Sequence, residues 1–400
     1  MQNSYLILGA GKMAEAIAYD VLKYANPGRV NLVDTNSANL RTLERKLGVD
    51  IVVADVSDSS GVFNLMKEFD VAISAVPYRF NANLSQAAID SGTHFCDLGG
   101  NDSIVKRQFS LGNLAKDKGV KIMPGCGIAP GAVSVIAKYG IDMFEGDNGV
   151  MPGYVKIRVG GLPQNPKGVL GYANVFSVNG LINECKVKTD ILKDGKRVRV
   201  PAMTGLEEQI FQGGFGKLEA AYTSGGSLTL TETYVGKIKN LDYKTLRYLG
   251  HWEKMALLRW MGLFSENPQN VLGKKLVPRE LLEGILEDAL PKDKGDVMLV
   301  RVLVGGEGAG ELGFDMIDRY NGDTGHTAMQ RTTGYSASIV AQMLVNGDIS
   351  DFGTLTQEGS VPADKFLGEW KKRGLVLEEY RNIRGWDKIN HRPSRRGYAI

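Results

Sequence analysis

The 400-residue chain is short of cysteine, of net charge and of long apolar runs, and each shortage removes a class of protein. Its three cysteines, Cys96, Cys126 and Cys185, stand far apart and form no CxxC pair. So sparse and odd a set of thiols makes no disulfide framework and fits a reducing, cytoplasmic setting. No run reaches the roughly 18 apolar residues of a spanning helix, so no membrane partner is expected. The opening "MQNSYLILGAG" has no basic start and leads straight into a glycine turn, which reads as a first strand rather than a signal peptide. A net charge of +3 gives no reason to expect nucleic acid. The tail "NHRPSRRGYAI" is basic but has no wider basic field around it, so it reads as a surface tail. His94 and Cys96 alternate on one strand face with no third ligand near them in sequence, so no metal site is expected.

What the chain does have is an ordinary soluble balance, 43% apolar and 23% charged, with fifty glycines for tight turns and close backbone approaches. Its length predicts two domains. Up to about residue 125, short apolar runs alternate with stretches of helical spacing. "YLIL", "RVNLVD", "DIVVAD", "DVAISAVP", "THFCDLGG" and "VKIMPGCG" read as strands. "KMAEAIAYDVLKY", "NSANLRTLERKL", "SDSSGVFNLMKEF", "NANLSQAAIDSG" and "SIVKRQFSLGNLAKDKG" read as the helices between them. Short connections between alternating strands and helices demand right-handed crossovers, hence a doubly wound, Rossmann-type parallel sheet.

The first turn, "GAGKMA", places Gly9, Gly11 and Ala14 directly after the first strand. Gly9 permits the turn, Gly11 leaves room for a pyrophosphate, and Ala14 lets the helix pack closely on the strand. Lys12 and Met13 lie within this loop, and Ala75 and Val76 end the fourth strand beside it. Asp34, at the end of the second strand, is placed to accept hydrogen bonds from the adenosine ribose and to repel a 2′-phosphate. The expected cofactor is therefore NAD in preference to NADP. Asp34 also suits a turn or cap, and Arg41 lies nearby.

Ligands of such sheets bind at the carboxyl ends of the strands, here "AVPYRF", "CDLGGN" and "PGCGIAPG". Asp97 ends an apolar strand just before a double glycine. It reads either as a group that orients a substrate amine or moves a proton, or as a turn aspartate holding backbone N–H groups. Cys126, with no histidine partner in view, reads as a small packing residue.

From about Ala132 the alternation stops. "YVKIRVGGLP", "VPAMTGLE", "LEAAYTSGG" and "DVMLVRVLVGGEG" read as strands, and "RELLEGILEDAL" and "YSASIVAQMLVNG" as helices, which gives an α+β domain with an antiparallel or mixed sheet. The expected layout is an α/β NAD-binding domain over 1–127 and an α+β substrate domain over 128–325. A C-terminal segment over 326–400 follows, its helix packing back on the first domain. Within the second domain, "LDYKTLRYLGH" crowds polar groups together. As a strand it would put Tyr243, Thr245 and Arg247 on one face and Lys244, Leu246 and Tyr248 on the other. Tyr, Thr and Arg together suit a carboxylate, and His251 titrates near neutrality. A solvated edge strand is the plainer reading.

The phrases "LILGAGKMA", "CDLGGN", "GIAPG", "VGGLPQNP", "FSVNGLINE", "YTSGGSLTL", "LDYKTLRYLGHWEK" and "TAMQRTTGYS" follow one another along most of the chain. In these it resembles the saccharopine dehydrogenase-like family, and within that family the lysine 6-dehydrogenases. The resemblance implies a Rossmann domain joined to an α/β substrate domain, commonly a homodimer, that oxidises the terminal amine of L-lysine with NAD and releases ammonia. Saccharopine dehydrogenase of the glutamate-forming type, which oxidises a secondary amine on the same skeleton, is the alternative. "GIAPG" leans towards the lysine enzymes, because the saccharopine enzymes usually carry an acid where this chain has Ala129. Saccharopine needs several cations, which Arg79, Arg247 and Arg331 would supply. The resemblance implies Asp97 and Tyr78 beside the nicotinamide, and Thr223, Ser224, Arg247, His251 and Arg331 on the substrate side, with Asp97 and His251 as proton-transfer candidates. A non-catalytic dinucleotide sensor is the rival from another class, and the polar segment at 241–251 argues against it.

Overall fold

The structure is a computed structural model that describes residues 2–227, 229–292 and 295–382. The basic tail lies outside the described residues. The chain forms two compact units, one of residues 1–139 with 330–376 and one of 140–329 with the strand Glu378–Asn382. The sequence-based boundaries fall after 127 and 325, whereas these units divide after Tyr139 and Met329.

The first unit is built on a seven-stranded sheet. In spatial order its strands are Gly353–Thr354, Lys121–Met123, His94–Asp97, Val71–Ser74, Ser4–Leu8, Arg29–Asp34 and Asp50–Val53. Every pairing is parallel. The strands are apolar on both faces because helices cover both; Leu6, Ile7 and Leu8 are each 0% exposed. The helices start and stop on local signals. Asn36 accepts from the N–H groups of Ala38 and Asn39 to open Ser37–Leu47, and Gly48, at φ +69°, closes it. Gly92, at φ +79°, closes Asn81–Ser91 in the same way.

Three features differ from the sequence reading. "SIVKRQFSLGNLAKDKG" forms two helices, Asp102–Ser110 and Gly112–Asp117, because the chain breaks at Leu111 before a glycine. The alternation does not stop at Ala132: a 17-residue helix, Ala132–Asn148, follows the sixth strand. A seventh strand, Gly353–Thr354, joins the edge beside Lys121–Ile122. The helix Ala328–Val345 contributes most of its length to this unit. Gln330 Nε2 donates to Lys12 O at 3.0 Å, and Gly334 meets Ala16 so closely that a Cβ on it would stand 2.7 Å from the alanine's.

The second unit carries a nine-stranded sheet. Its main path runs Glu207–Ile210, Lys217–Tyr222, Asn240–Tyr248, Tyr154–Pro163, Asp296–Gly306, Gly310–Arg319 and Glu378–Asn382. The hairpin Thr189–Lys193/Lys196–Val200 attaches to the third of these. The sheet is mixed: Asn240–Tyr248 pairs parallel with Tyr154–Pro163 and antiparallel with Lys217–Tyr222. "LDYKTLRY" is therefore an interior strand, not a solvated edge, and its polar groups are buried. "VPAMTGLE" does not form the expected strand. Met203 and Gly205, at φ +63° and +67°, turn the chain there, and Gly205 backs onto the ring of Tyr222.

Among the described residues no helix is long and apolar enough to cross a membrane, and no group of three or more His, Cys, Asp or Glu is arranged to hold a metal ion.

Candidate active site

In the first unit the expected cofactor loop closes tightly. A Cβ on Gly9, whose φ is +119°, would stand 2.9 Å from Ala75 O, so only glycine fits between the first and fourth strands. Nothing lies within 4 Å of a Cβ position on Gly11, which leaves open space where a pyrophosphate would approach. Lys12 and Met13 open the helix Lys12–Tyr24, and no side chain caps its amino end. Ala14 is 0% exposed and lets that helix sit close to the sheet. Asp34 is fixed by two backbone donors, Ala10 N–H at 2.7 Å and Asn36 N–H at 2.8 Å. Val76 is partly buried at the end of the fourth strand, next to Ala75. An uncapped helix terminus, a Cβ-free gap and a fixed carboxylate together fit a dinucleotide.

The three carboxyl-end loops meet one another. Asp97 ties two of them: Oδ1 accepts from Gly99 N–H at 2.6 Å and Gly125 N–H at 3.2 Å, and Oδ2 accepts from Gln108 Nε2 at 2.6 Å. It is 0% exposed, and burial raises its pKa against the pull of these three donors. Its geometry is that of the turn aspartate. Gly99 packs on Pro130, and Gly100, at φ +120°, packs on the half-buried ring of Tyr78. Arg79 is exposed and stacks over Phe80. Cys126 is buried, accepts from Gln357 Nε2 at 3.0 Å, and has its thiol pKa pushed up by burial, which suits a packing residue. Arg331 also lies in this unit, buried, with Nη2 donating to Arg373 O at 3.3 Å.

The second unit brings Thr223, Ser224, Arg247 and His251 together. Thr223 and Thr245 hydroxyls are 2.6 Å apart, and Thr245 Oγ1 lies 3.4 Å from Tyr243 Oη, so three buried hydroxyls form a chain from the strand Asn240–Tyr248 to the residue just past Lys217–Tyr222. Burial pushes the Tyr243 phenol up to about 12. Ser224 N–H donates to Glu184 O at 3.1 Å, and Arg247 Nη2 donates to Glu184 Oε1 at 2.5 Å. Glu184 thus grips both expected motifs, one with its backbone and the other with its carboxylate. Burial pulls the Arg247 pKa down, but Glu184 together with Tyr172, Cys185 and Tyr243 more than offsets this and the guanidinium stays charged. It stacks on the rings of Tyr172 and Trp252, 4.9 and 5.6 Å from their centroids.

His251 begins the helix His251–Trp260 and is 1% exposed. Its Nδ1 lies 3.0 Å from Leu170 O; a carbonyl can only accept, so Nδ1 carries the proton and Nε2 is a bare acceptor. Burial, helped by Arg247, depresses its pKa to about 3. It is a neutral imidazole across the physiological range, unlike the near-neutral titrating group that the sequence suggests. Glu184 and Tyr172, which complete the cluster, carry no signal in the sequence beyond lying in or near the phrases "FSVNGLINE" and "VGGLPQNP".

Comparison with known proteins fits these two halves. The model of the saccharopine dehydrogenase NADP binding domain matches residues 5–123, and that of the saccharopine dehydrogenase C-terminal domain matches 127–375. The chain is 25% identical over 292 residues to the saccharopine dehydrogenase [NADP(+), L-glutamate-forming] of Saccharomyces cerevisiae, covering 72% of this chain and 64% of that protein. The protein of the same name from Pyricularia oryzae is 22% identical over 426 residues, covering 85% of this chain and 92% of its own. The apo saccharopine dehydrogenase (L-Glu forming) of S. cerevisiae has the same fold, with a TM-score of 0.79 at 20% identity over 95% of this chain and 99% of that one. The homospermidine synthase of Legionella pneumophila, solved with NAD, superposes with a TM-score of 0.71 at 13% identity, covering 100% and 95% of the two chains. The Rossmann sheet with its dinucleotide loop, joined to a mixed-sheet second domain, defines an NAD(P)-dependent dehydrogenase. The chain belongs to the saccharopine dehydrogenase-like family.

Proposed function

We propose that this chain oxidises a carbon–nitrogen bond on a lysine skeleton, with a secondary amine of the saccharopine type as substrate and NAD as cofactor. The observation that carries this reading is the match of both domains, 5–123 and 127–375, to the two domains of saccharopine dehydrogenase. When bound, the dinucleotide supplies the hydride acceptor. Hydride leaves the carbon bearing nitrogen, an imine forms, and added water breaks the carbon–nitrogen bond to give an aldehyde and an amine.

The chain's own residues bind and orient. Gly9, Gly11 and Ala14, with Lys12, Met13, Ala75 and Val76 around them, hold the pyrophosphate side, and Asp34 selects the ribose. Asp97 keeps the loops at 99–101 and 124–127 in register, with Tyr78 against them. On the substrate side Thr223, Thr245 and Tyr243 present hydroxyls, Glu184 stiffens Ser224 and Arg247, and the neutral His251 acts only as an acceptor.

Oxidation of L-lysine itself, as in a lysine 6-dehydrogenase, is a second reading favoured by one feature. Ala129 places no carboxylate in "GIAPG".

Absorbance at 340 nm with NAD or NADP and a panel of saccharopine, L-lysine and related polyamines separates these readings. Reduction of NAD with saccharopine is expected. Reduction with L-lysine alone would select the second reading. No reduction with any substrate would sink both and leave a non-catalytic dinucleotide-binding protein.

A further inference from the structure

The first unit holds an open crevice of about 380 Å³ at the amino ends of its strands. Gly9, Ala75 and Asp97 stand at the opposite, carboxyl ends. Parallel pairing sets the place. Tyr5 is level with Val71, and Val71 with His94, so the residues that lead into three neighbouring strands open on one spot. His94 begins the strand that Asp97 ends, three residues or roughly 10 Å further on.

Helix ends complete the wall. The helices Ser59–Met66, Asn81–Ser91 and Ala328–Val345 reach it at Lys67, Ser91 and Val345. A helix carries partial negative charge at its carboxyl end. Lys121 already serves the third of these ends, its Nζ donating to Leu344 O at 2.9 Å.

Most polar side chains around the crevice are bonded elsewhere. Asn3 Nδ2 donates to Asn346 Oδ1 at 2.9 Å, and Glu68 pairs with Arg29 at 3.1 Å. Ser91 Oγ donates to Ala88 O, and Thr93 Oγ1 to Met66 O. Three groups are left. Lys67 is exposed and makes no hydrogen bond or ion pair among the described residues. Asp70 uses one oxygen: Oδ2 accepts from Ser4 N–H at 2.8 Å and Ser4 Oγ at 2.7 Å, while Oδ1 has no partner among them. The third is the half-buried His94, whose Nδ1 accepts from Lys121 N–H at 3.3 Å. Burial, helped by the Lys121 charge and against the pull of Asp70, pushes its pKa down to about 4. The ring is therefore neutral, and its one proton sits on Nε2, which faces no acceptor among the described residues.

The crevice thus offers a free ammonium, a free carboxylate oxygen and a neutral N–H donor. Phosphate would suit Lys67 and His94 but meet the like charge of Asp70. A simple amine would suit Asp70 but meet the like charge of Lys67. A molecule with a carboxylate and an ammonium side by side satisfies all three.

We propose that this crevice binds a free α-amino acid as its zwitterion, with the ammonium on Asp70 Oδ1 and the carboxylate on His94 Nε2–H and Lys67. None of these residues belongs to the cofactor loop or the substrate cluster, so the site does not depend on which amine the enzyme oxidises.

The chain has only four histidines, so nuclear magnetic resonance of the full-length, histidine-labelled protein can follow each imidazole, with His94→Gln assigning the His94 signal. The probes are L-lysine, L-glutamate, L-alanine, propionate, propylamine and inorganic phosphate. At least one amino acid should shift the His94 Nε2 resonance saturably at millimolar concentration. Propionate, propylamine and phosphate should bind at least about tenfold more weakly, since each lacks or opposes a charge-assisted bond. Lys67→Met breaks no contact, and Asp70→Asn keeps an oxygen for Ser4 while losing the charge. Each should weaken the amino acid at least about tenfold with an unchanged far-ultraviolet circular dichroism spectrum. A His94 signal that no amino acid moves overturns the proposal. So does an equal response to propionate, propylamine or phosphate, or a Lys67→Met chain that binds the amino acid as tightly as wild type.

Discussion

Gly226 lies flat against the ring of Tyr243: a Cβ on it would stand 2.2 Å from both Cε1 and Cζ. The double glycine of "YTSGGS" is thus shaped by the strand "LDYKTLRY", two phrases that sequence alone can only set side by side. Gly226→Ala must push away either the turn or the ring, and with the ring goes the Thr245–Thr223 hydroxyl chain. The expected cost is about 1–3 kcal/mol of stability, as for other overpacked interiors. It should appear as a melting-point drop of several degrees with a raised KM for the amine substrate. A variant that melts and turns over like wild type would show that the turn does not set the site.

Arg247 and Glu184 form a mostly buried pair, so Arg247 is not a free cation waiting for a substrate carboxylate. Arg247→Ala leaves Glu184 buried without its counter-charge, and a loss of about 3–5 kcal/mol is expected in urea unfolding. Adding Glu184→Gln should recover much of that stability. It should not recover KM if the pair is what positions Ser224 and the strand for substrate. A double-variant loss equal to the sum of the two single-variant losses would mean the two residues act independently.

The reach of the sequence follows from the distance over which each signal acts. The alternation of the first unit was readable because parallel strands are continuous apolar runs and the caps Asn36, Gly48 and Gly92 are local. The helix Ala132–Asn148 escaped because its first six residues are all buried, which erases the one-sided apolar stripe. Of the candidate site residues, Thr223, Ser224, Arg247 and His251 stand in the quoted phrases, and the structure puts these four in one unit. Glu184 was not legible as their partner, since it lies 63 residues before Arg247 and only the packing of a helix on the sheet brings them together. The state of His251 was equally hidden: an accepting carbonyl at Leu170 fixes its tautomer, and burial, helped by the Arg247 guanidinium, keeps it neutral.

That state makes a pH prediction with a definite sign. His251 stays neutral in the folded chain down to about pH 3, whereas in the unfolded chain it takes a proton below its ordinary value of 6.5. The unfolded state therefore binds more protons between those limits, and stability falls as pH drops from 6.5 towards 3. His251→Gln should flatten this part of the stability curve measured by urea unfolding. The same variant should leave the pH at which kcat/KM changes between pH 6 and 8 where it is in wild type. A limb that vanishes with His251 would restore it as the proton carrier.

Cofactor choice gives the last test, because Asp34 and the names of the relatives point in opposite directions. The matched domain model and the fungal relatives are named for NADP. Here the second strand ends in a carboxylate clamped by the N–H groups of Ala10 and Asn36. A fixed negative charge at that place accepts ribose hydroxyls and repels a 2′-phosphate. Wild type should therefore use NAD with the higher kcat/KM. Asp34→Ser removes the charge-assisted bonds, each worth about 1.5–3 kcal/mol, so NAD should weaken roughly tenfold to a hundredfold. NADP should at the same time hold or improve. The ratio of the two kcat/KM values is the measurement, with a melting curve to confirm that the loop still folds. A wild-type preference for NADP would mean that Asp34 serves only the turn, and that Arg41 or another cation has taken over the phosphate.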